Sequence, residues 1–207
     1  MKIFPLRKQN FKLTRSLALV LLATTSFIVP ANLSATPAPV AAMLQANLNI
    51  NGLFAMEKAQ RGRTVQAAIV VEIPDGYHVN ANRPLGKYAV PTILKIEAPG
   101  GIRISPIVYP RATVHKFSFS EEKLAVYENR AVMRFNVTVP ANYKANDAEL
   151  RVHFRYQSCN NEACFPPTTR DITVPLQIAG ANENIKRANS AIFGGGSNGG
   201  TRRARRK

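Results

Sequence analysis

The segment Tyr156-Gln-Ser-Cys159-Asn-Asn-Glu-Ala-Cys164-Phe-Pro-Pro167 holds both cysteines of this 207-residue chain. Two alternating runs flank it, Leu150-Arg-Val-His-Phe-Arg-Tyr156 before and Arg170-Asp-Ile-Thr-Val-Pro-Leu-Gln-Ile178 after. Alternation of apolar and polar residues marks half-buried strands, so the cysteines fall at the mouth of a β-hairpin. The four residues between them make the spacing too wide for a Cys-x-x-Cys redox helix. A zinc site would need four ligands within tetrahedral reach, and the pair stands alone. The spacing suits a disulfide pinched across the hairpin.

Working outward, the same alternation recurs along the chain. Thr64–Ile73 is a half-buried strand ended by Pro74-Asp-Gly76, and Tyr77–Asn80 is a short one. Thr92–Ala98 alternates until Pro99-Gly-Gly101, Ile102–Tyr109 until Pro110, and Ala131–Val139 until Pro140. Together with the strands around the cysteines this makes about seven, at the short regular spacing of an all-β antiparallel β-sandwich. Residues 43–61 suit either a short helix or an edge strand. The chain shows no repeat, no Gly-rich phosphate loop and no Ser-His-acid signature.

A disulfide across so short a loop contributes little to stability. The chain-entropy model gives about 2 kcal/mol for a loop of about six residues, against about 4–5 for a loop of about 100. A chain of this length buries a substantial core without such help. An immunoglobulin-type structural bridge joins cysteines far apart in sequence. Short bridges over turns are often strained, and strain makes a disulfide exchangeable. An exchanging disulfide, a permanent hairpin clip and two inert thiols all stay open at this point.

The N-terminus bears on the compartment. Met1–Arg15 is basic without an acidic residue, and the apolar run Ser16–Val29 follows, then Pro30 and small residues. That run is short for a membrane span, which needs about 20 residues, and the order reads as a secretory signal peptide. Ala35 and Ala42 both offer a cleavage position. The expected organisation is a signal peptide and short leader over 1–42, a β-sandwich domain over 43–180, and a flexible Gly-rich linker with a basic tail over 181–207. The body then lies outside the cytoplasm, periplasmic or otherwise extracytoplasmic, where disulfides persist.

The net charge of +16 is concentrated at the two ends of the chain. Of 28 basic residues, five lie in the leader and five in the tail Arg202–Lys207, while all 12 acids lie between them. The body thus carries 18 basic against 12 acidic residues, a net +6. With no interleaving of aromatic and basic residues, no nucleic-acid partner is expected. The tail, after Gly194-Gly-Gly-Ser-Asn-Gly-Gly200, reads as a solvated extension or as a contact for an anionic membrane or cell-surface polymer. No metal and no cofactor is expected.

Two elements together carry a family resemblance. Asp75-Gly-Tyr-His-Val-Asn-Ala-Asn-Arg-Pro84 precedes the Tyr-Gln-x-Cys…Cys-x-Pro-Pro element, which leads to a strand containing Val174-Pro-Leu176. Over roughly residues 50–178 the chain resembles the N-terminal periplasmic domain of the DsbD family, the thiol:disulfide interchange reductases of the bacterial envelope. The resemblance implies an immunoglobulin-like sandwich whose cysteine pair shuttles electrons from a membrane reductase to thioredoxin-fold partners outside the cytoplasm. The chain would then be a component of a protein-disulfide reductase. By the family pattern, Cys164 forms the mixed disulfide with partners and Cys159 resolves it. The family's aromatic cap falls here on His115-Lys-Phe-Ser-Phe-Ser-Glu-Glu122, with Phe119 the first candidate and Phe117 the second; ordinary core packing is the alternative for each. Tyr77, His78 and Asn80 are expected to neighbour the site.

The chain also departs from the family. Its cap acids, Glu121 and Glu122, follow the aromatics instead of preceding them, which puts acid tuning of the thiols in doubt. The sequence ends where the family's membrane domain would begin, so the expected electron source is a separate membrane thiol reductase. The competing reading is a secreted or surface-attached binding sandwich in which the disulfide is a permanent clip.

Overall fold

A computed structural model describes residues 46–194. The signal peptide expected over 1–42 and the basic tail Arg202–Lys207 lie outside the described residues. The described chain is built almost wholly from strands. In chain order they are β1 (Asn49–Phe54), β2 (Ala59–Gln60), β3 (Thr64–Glu72), β4 (His78–Asn80), β5 (Ile93–Glu97) and β6 (Arg103–Ile104). There follow β7 (Thr113–Lys116), β8 (Lys123–Tyr127), β9 (Arg130–Thr138), β10 (Asp147–Tyr156), β11 (Ser158–Cys159), β12 (Thr168–Ala179) and a one-turn helix α1 (Ser190–Phe193).

Two four-stranded sheets, β1-β3-β9-β6 and β2-β12-β10-β5, hold the core between them. All their pairings are antiparallel except β2 with β12. The alternation decides which side chains turn inward. Val65, Ala67, Ile69 and Val71 of β3 and Ala131, Met133, Phe135 and Val137 of β9 are buried, as are Leu150, Val152, Phe154 and Tyr156 of β10. Large residues stand opposite small ones, Phe135 against Ala67 and Leu176 against Ala148. This is the immunoglobulin-like antiparallel sandwich expected from the sequence.

Of the stretch 43–61, the described part from residue 46 onward forms strands, with β1 at one edge of its sheet. The strand expected over 102–109 shortens to β6, because Pro106 has no N–H to continue a ladder; pairing resumes only as a bridge from Val108 to Arg134. Two strands had no clear sequence signal. β7 is exposed at all four residues and β8 is buried at four of five, so neither alternates.

Beyond β12, residues 181–194 run back along the sandwich. Lys58 Nζ pairs with Glu183 at 2.6 Å, Ala188 N donates to Ala55 O at 2.9 Å, and Met56 bridges to Arg187. Among the described residues no helix is long and apolar enough to cross a membrane.

A third sheet, β11-β4-β8-β7, carries the cysteines. The chain leaves β10 at Tyr156, passes Gln157, and enters β11 against β4. The disulfide hairpin is thus anchored by the longest pairing of the sandwich, ten residue pairs between β10 and β12.

Candidate functional site

Cys159 and Cys164 are joined by a disulfide and face each other directly, with a Cα–Cα separation of 3.9 Å. Backbone bonds on either side set this opposition: Asn160 N donates to Ala163 O and Phe165 N donates to Ser158 O, both at 2.9 Å. The pair therefore occupies a non-hydrogen-bonded position, where opposed side chains come closest. The turn beyond it is tied by its own first residue. Asn160 Oδ1 accepts from Glu162 N at 2.9 Å and from Ala163 N at 2.8 Å, the local bonding that makes Asn a turn residue.

The two sulfur-bearing residues differ in access. Cys159 is fully buried, whereas Cys164 is exposed. A reagent from outside reaches the disulfide from the Cys164 side.

β4 lies beside β11 and supplies the neighbours expected from Tyr77-His-Val-Asn80. Cys159 pairs with His78 and Ser158 with Val79. His78 is 2% exposed. Burial holds its pKa below the ordinary value, an effect that the Glu128 carboxylate opposes and His115 reinforces. Asn80 is buried and donates from Nδ2 to Gln157 Oε1 at 2.9 Å. Tyr77 stands with its ring centroid 6.2 Å from that of Phe165.

The turn between β7 and β8 lies over this face. Phe117 stacks on His78, with centroids 4.1 Å apart and planes 14° apart. Phe119 stacks on Phe117 at 5.4 Å. Phe119 also lines a cavity of about 280 Å³ whose wall includes Cys164, Asn80, Tyr88, Glu122 and Gln157. Both rings are half-buried. A hydrogen bond fastens this turn to the disulfide hairpin, Ser118 Oγ donating to Asn161 O at 3.0 Å. Of the two acids after the aromatics, Glu122 accepts from Lys87 N at 2.9 Å and Glu121 is exposed. His115 is exposed and hydrogen-bonds Glu128 at 3.0 Å.

All the residues singled out from the sequence, Cys159, Cys164, Phe117, Phe119, Tyr77, His78 and Asn80, therefore lie in or beside one patch. Sequence reasoning quoted Gln157 in the motif but gave it no role. Its Oε1 also accepts from Val90 N and its Nε2 donates to Phe165 O, each at 3.1 Å, so it pins the hairpin base to β4 and to the 90–92 segment. A polar residue between buried Tyr156 and buried Ser158 was the available signal. Ser118 gave no signal, and Glu122 was singled out only as an acid after the aromatics, since the partners of both, Asn161 and Lys87, are distant in sequence.

Chemically, the arrangement offers one exposed and one buried cysteine joined by a disulfide, with Phe119 on the wall of the cavity that Cys164 also lines. A family model described as thiol:disulfide interchange protein DsbD, N-terminal, matches residues 51–176. No curated protein matches the chain. Among solved structures, the reduced N-terminal domain of DsbD from Neisseria meningitidis is similar at 13% identity and a TM-score of 0.40, over 68% of this chain and 90% of that one. The N-terminal periplasmic domain of ScsB from Proteus mirabilis is similar at 11% identity and a TM-score of 0.44, over 71% of this chain and 51% of that one.

Proposed function

The chain belongs to the family of the N-terminal domain of the thiol:disulfide interchange protein DsbD, and from that membership we propose that it exchanges disulfides through Cys159 and Cys164 outside the cytoplasm. The observation that carries the reading is the asymmetry of the bond, buried at Cys159 and open at Cys164. A permanent clip has no use for an exposed cysteine on the wall of a cavity. An exchanging pair needs one.

In the reduced state the Cys164 thiolate attacks a disulfide sulfur of a partner of thioredoxin fold. A mixed disulfide forms and the partner's other sulfur departs with the electron pair as a thiolate. Cys159 then attacks Cys164, the partner leaves with both sulfurs reduced, and the Cys159–Cys164 bond carries the oxidation. Two electrons from a membrane thiol reductase restore the dithiol. Access supports these roles, which are those of the family pattern: Cys164 is exposed to a partner and Cys159 is buried behind it.

Trapping tests this reading. Cys159→Ala should accumulate a mixed disulfide through Cys164 with extracytoplasmic thioredoxin-fold proteins, and Cys164→Ala should accumulate far less. Glutathione titration should place the pair above the roughly −300 mV below which structural bridges lie. A potential below that value, with no partner trapped by either variant, would leave the disulfide as a clip in a binding sandwich.

A further inference from the structure

The disulfide belongs to a row of side chains that continues across β11 into β4. Cys164 opposes Cys159 across the hairpin, and Cys159 opposes His78 across the β11–β4 ladder. Directly opposed residues on antiparallel strands stand on the same face, with Cβ atoms about 4.5–5.5 Å apart. Continuing the β4–β8 register past Val79↔Tyr127 sets Glu128 on the far side of His78. His78 is 2% exposed, and its Nε2 has no hydrogen-bond partner among the described residues. Phe117 closes over the ring. A buried polar atom left unpaired is uncommon, and catalytic use is one of the reasons such an atom is kept.

The charged and titratable groups facing the ring are Glu128 at the end of β8, His115 on β7 and Cys159 on β11. Burial keeps the imidazole neutral near neutral pH, with a lone pair on Nε2 in the tautomer protonated at Nδ1. Glu128 stands where it would stabilise an imidazolium. A thiol as buried as Cys159 has the opposite need. It must shed its proton in order to attack, and an enclosed site leaves a neighbouring side chain as the acceptor.

We propose that His78 is the general base for Cys159 in the resolving step, an inference that rests on the exchange reading above. With Cys164 in a mixed disulfide, the Cys159 thiol passes its proton to His78 Nε2 as its sulfur attacks Cys164 Sγ. The Cys159–Cys164 bond forms, the bond from Cys164 to the partner breaks, and the partner sulfur leaves with the electron pair as a thiolate. His78 ends the step protonated and releases the proton to solvent. In the reverse direction the imidazolium protonates Cys159 as an incoming thiolate opens the bond at Cys164.

Ellman's reagent separates the two sulfurs in the reduced chain. Attack by Cys164 releases the first thionitrobenzoate, and resolution by Cys159 releases the second. In stopped-flow records the wild-type second phase should slow less than about threefold between about pH 8 and about pH 6. In His78→Gln it should slow about tenfold per pH unit over that range, as a thiol without a base does. The first phase should keep its profile in both proteins. Second-phase profiles of the same shape in the two proteins overturn the proposal. If His78→Gln does not fold, the wild-type profile decides: an acid limb that breaks below about pH 7 supports the base, and a break at or above it overturns it. Failure of the exchange reading would appear instead as a low potential with no trapped partner, whatever the second-phase profile.

Discussion

Asn80 Nδ2 donates to Gln157 Oε1 at 2.9 Å, joining β4 to the residue at which the chain leaves β10 for the disulfide hairpin. The same pair is bonded through the backbone, Asn80 N to Gln157 O at 3.1 Å. Gln157 thus fixes where the disulfide sits relative to His78. Gln157→Ala removes three side-chain bonds and leaves the buried Asn80 amide unpaired. At about 1 kcal/mol per bond plus about 1–3 kcal/mol for the unpaired Asn80 amide, the loss should be about 4–6 kcal/mol in urea unfolding. A double-mutant cycle with Asn80→Ala should give a coupling of about 1 kcal/mol or more. Strictly additive losses would show that the pair is not a unit.

Gly52 marks where β1 comes against β12. A Cβ at this position would collide with the side chain of Val174, and Val174 is itself buried. Gly52→Ala should therefore destabilise the sandwich by about 1–3 kcal/mol through overpacking. In a Val174→Ala background the same substitution should cost markedly less, because the clashing methyls are gone. Equal costs in the two backgrounds would contradict the close approach. Denaturant midpoints of the four proteins decide it.

His78 makes stability depend on pH in a direction fixed by its shift. Its folded pKa lies below the ordinary 6.5 because burial disfavours the imidazolium. Below about 6.5 the unfolded chain therefore binds more protons than the folded one. The contribution is fully present above that pH and is lost as pH falls through the folded value, with a slope of at most about 1.4 kcal/mol per pH unit. His78→Gln should flatten this part of the stability profile. A His78 whose proton signals titrate at 6.5 in the folded protein would remove the effect, and one titrating above 6.5 would reverse its sign.

The parts of this molecule legible in sequence are those whose cause is local. Val65 to Val71 and Ala131 to Val137 declare their inward faces through period-two alternation, because one side of each strand meets the core and the other meets water. The turn residues Asp75-Gly76 and Pro99-Gly-Gly101 end strands for reasons carried in their own backbones. The cysteine hairpin is equally local. β7 is not, since Thr113–Lys116 is exposed throughout and exists only because β8 offers it a ladder. β8 is buried along Leu124–Tyr127, and a continuous apolar run carries no period to read. At the site, Phe117 and Phe119 were identifiable only through the family's aromatic cap, and the order in which they stack on His78 depends on β4, which lies well before them in the chain. Ser118 bonding to Asn161 has no sequence signature.

That Ser118–Asn161 bond ties the aromatic turn to the disulfide turn, so the turn is held at its tip as well as by the stacking of Phe117 on His78. The two aromatics should respond differently to truncation. Phe117 lies directly on buried His78, and Phe117→Ala should cost about 1–3 kcal/mol of stability, less than the 3–5 kcal/mol of a fully buried Phe because the ring is half-exposed. Phe119 sits one layer out and shares its cavity with Cys164. Phe119→Ala should cost less than Phe117→Ala and should speed alkylation of the reduced pair by a bulky maleimide several-fold, since access as well as thiolate fraction governs thiol reactivity. Ser118→Ala should move alkylation the same way by releasing the tip of the turn. Measuring all three variants beside the wild type, with stability taken from urea unfolding, distinguishes cover from core. Unchanged alkylation in Phe119→Ala together with a loss of about 3–5 kcal/mol would make Phe119 an ordinary packing residue and remove it from the site.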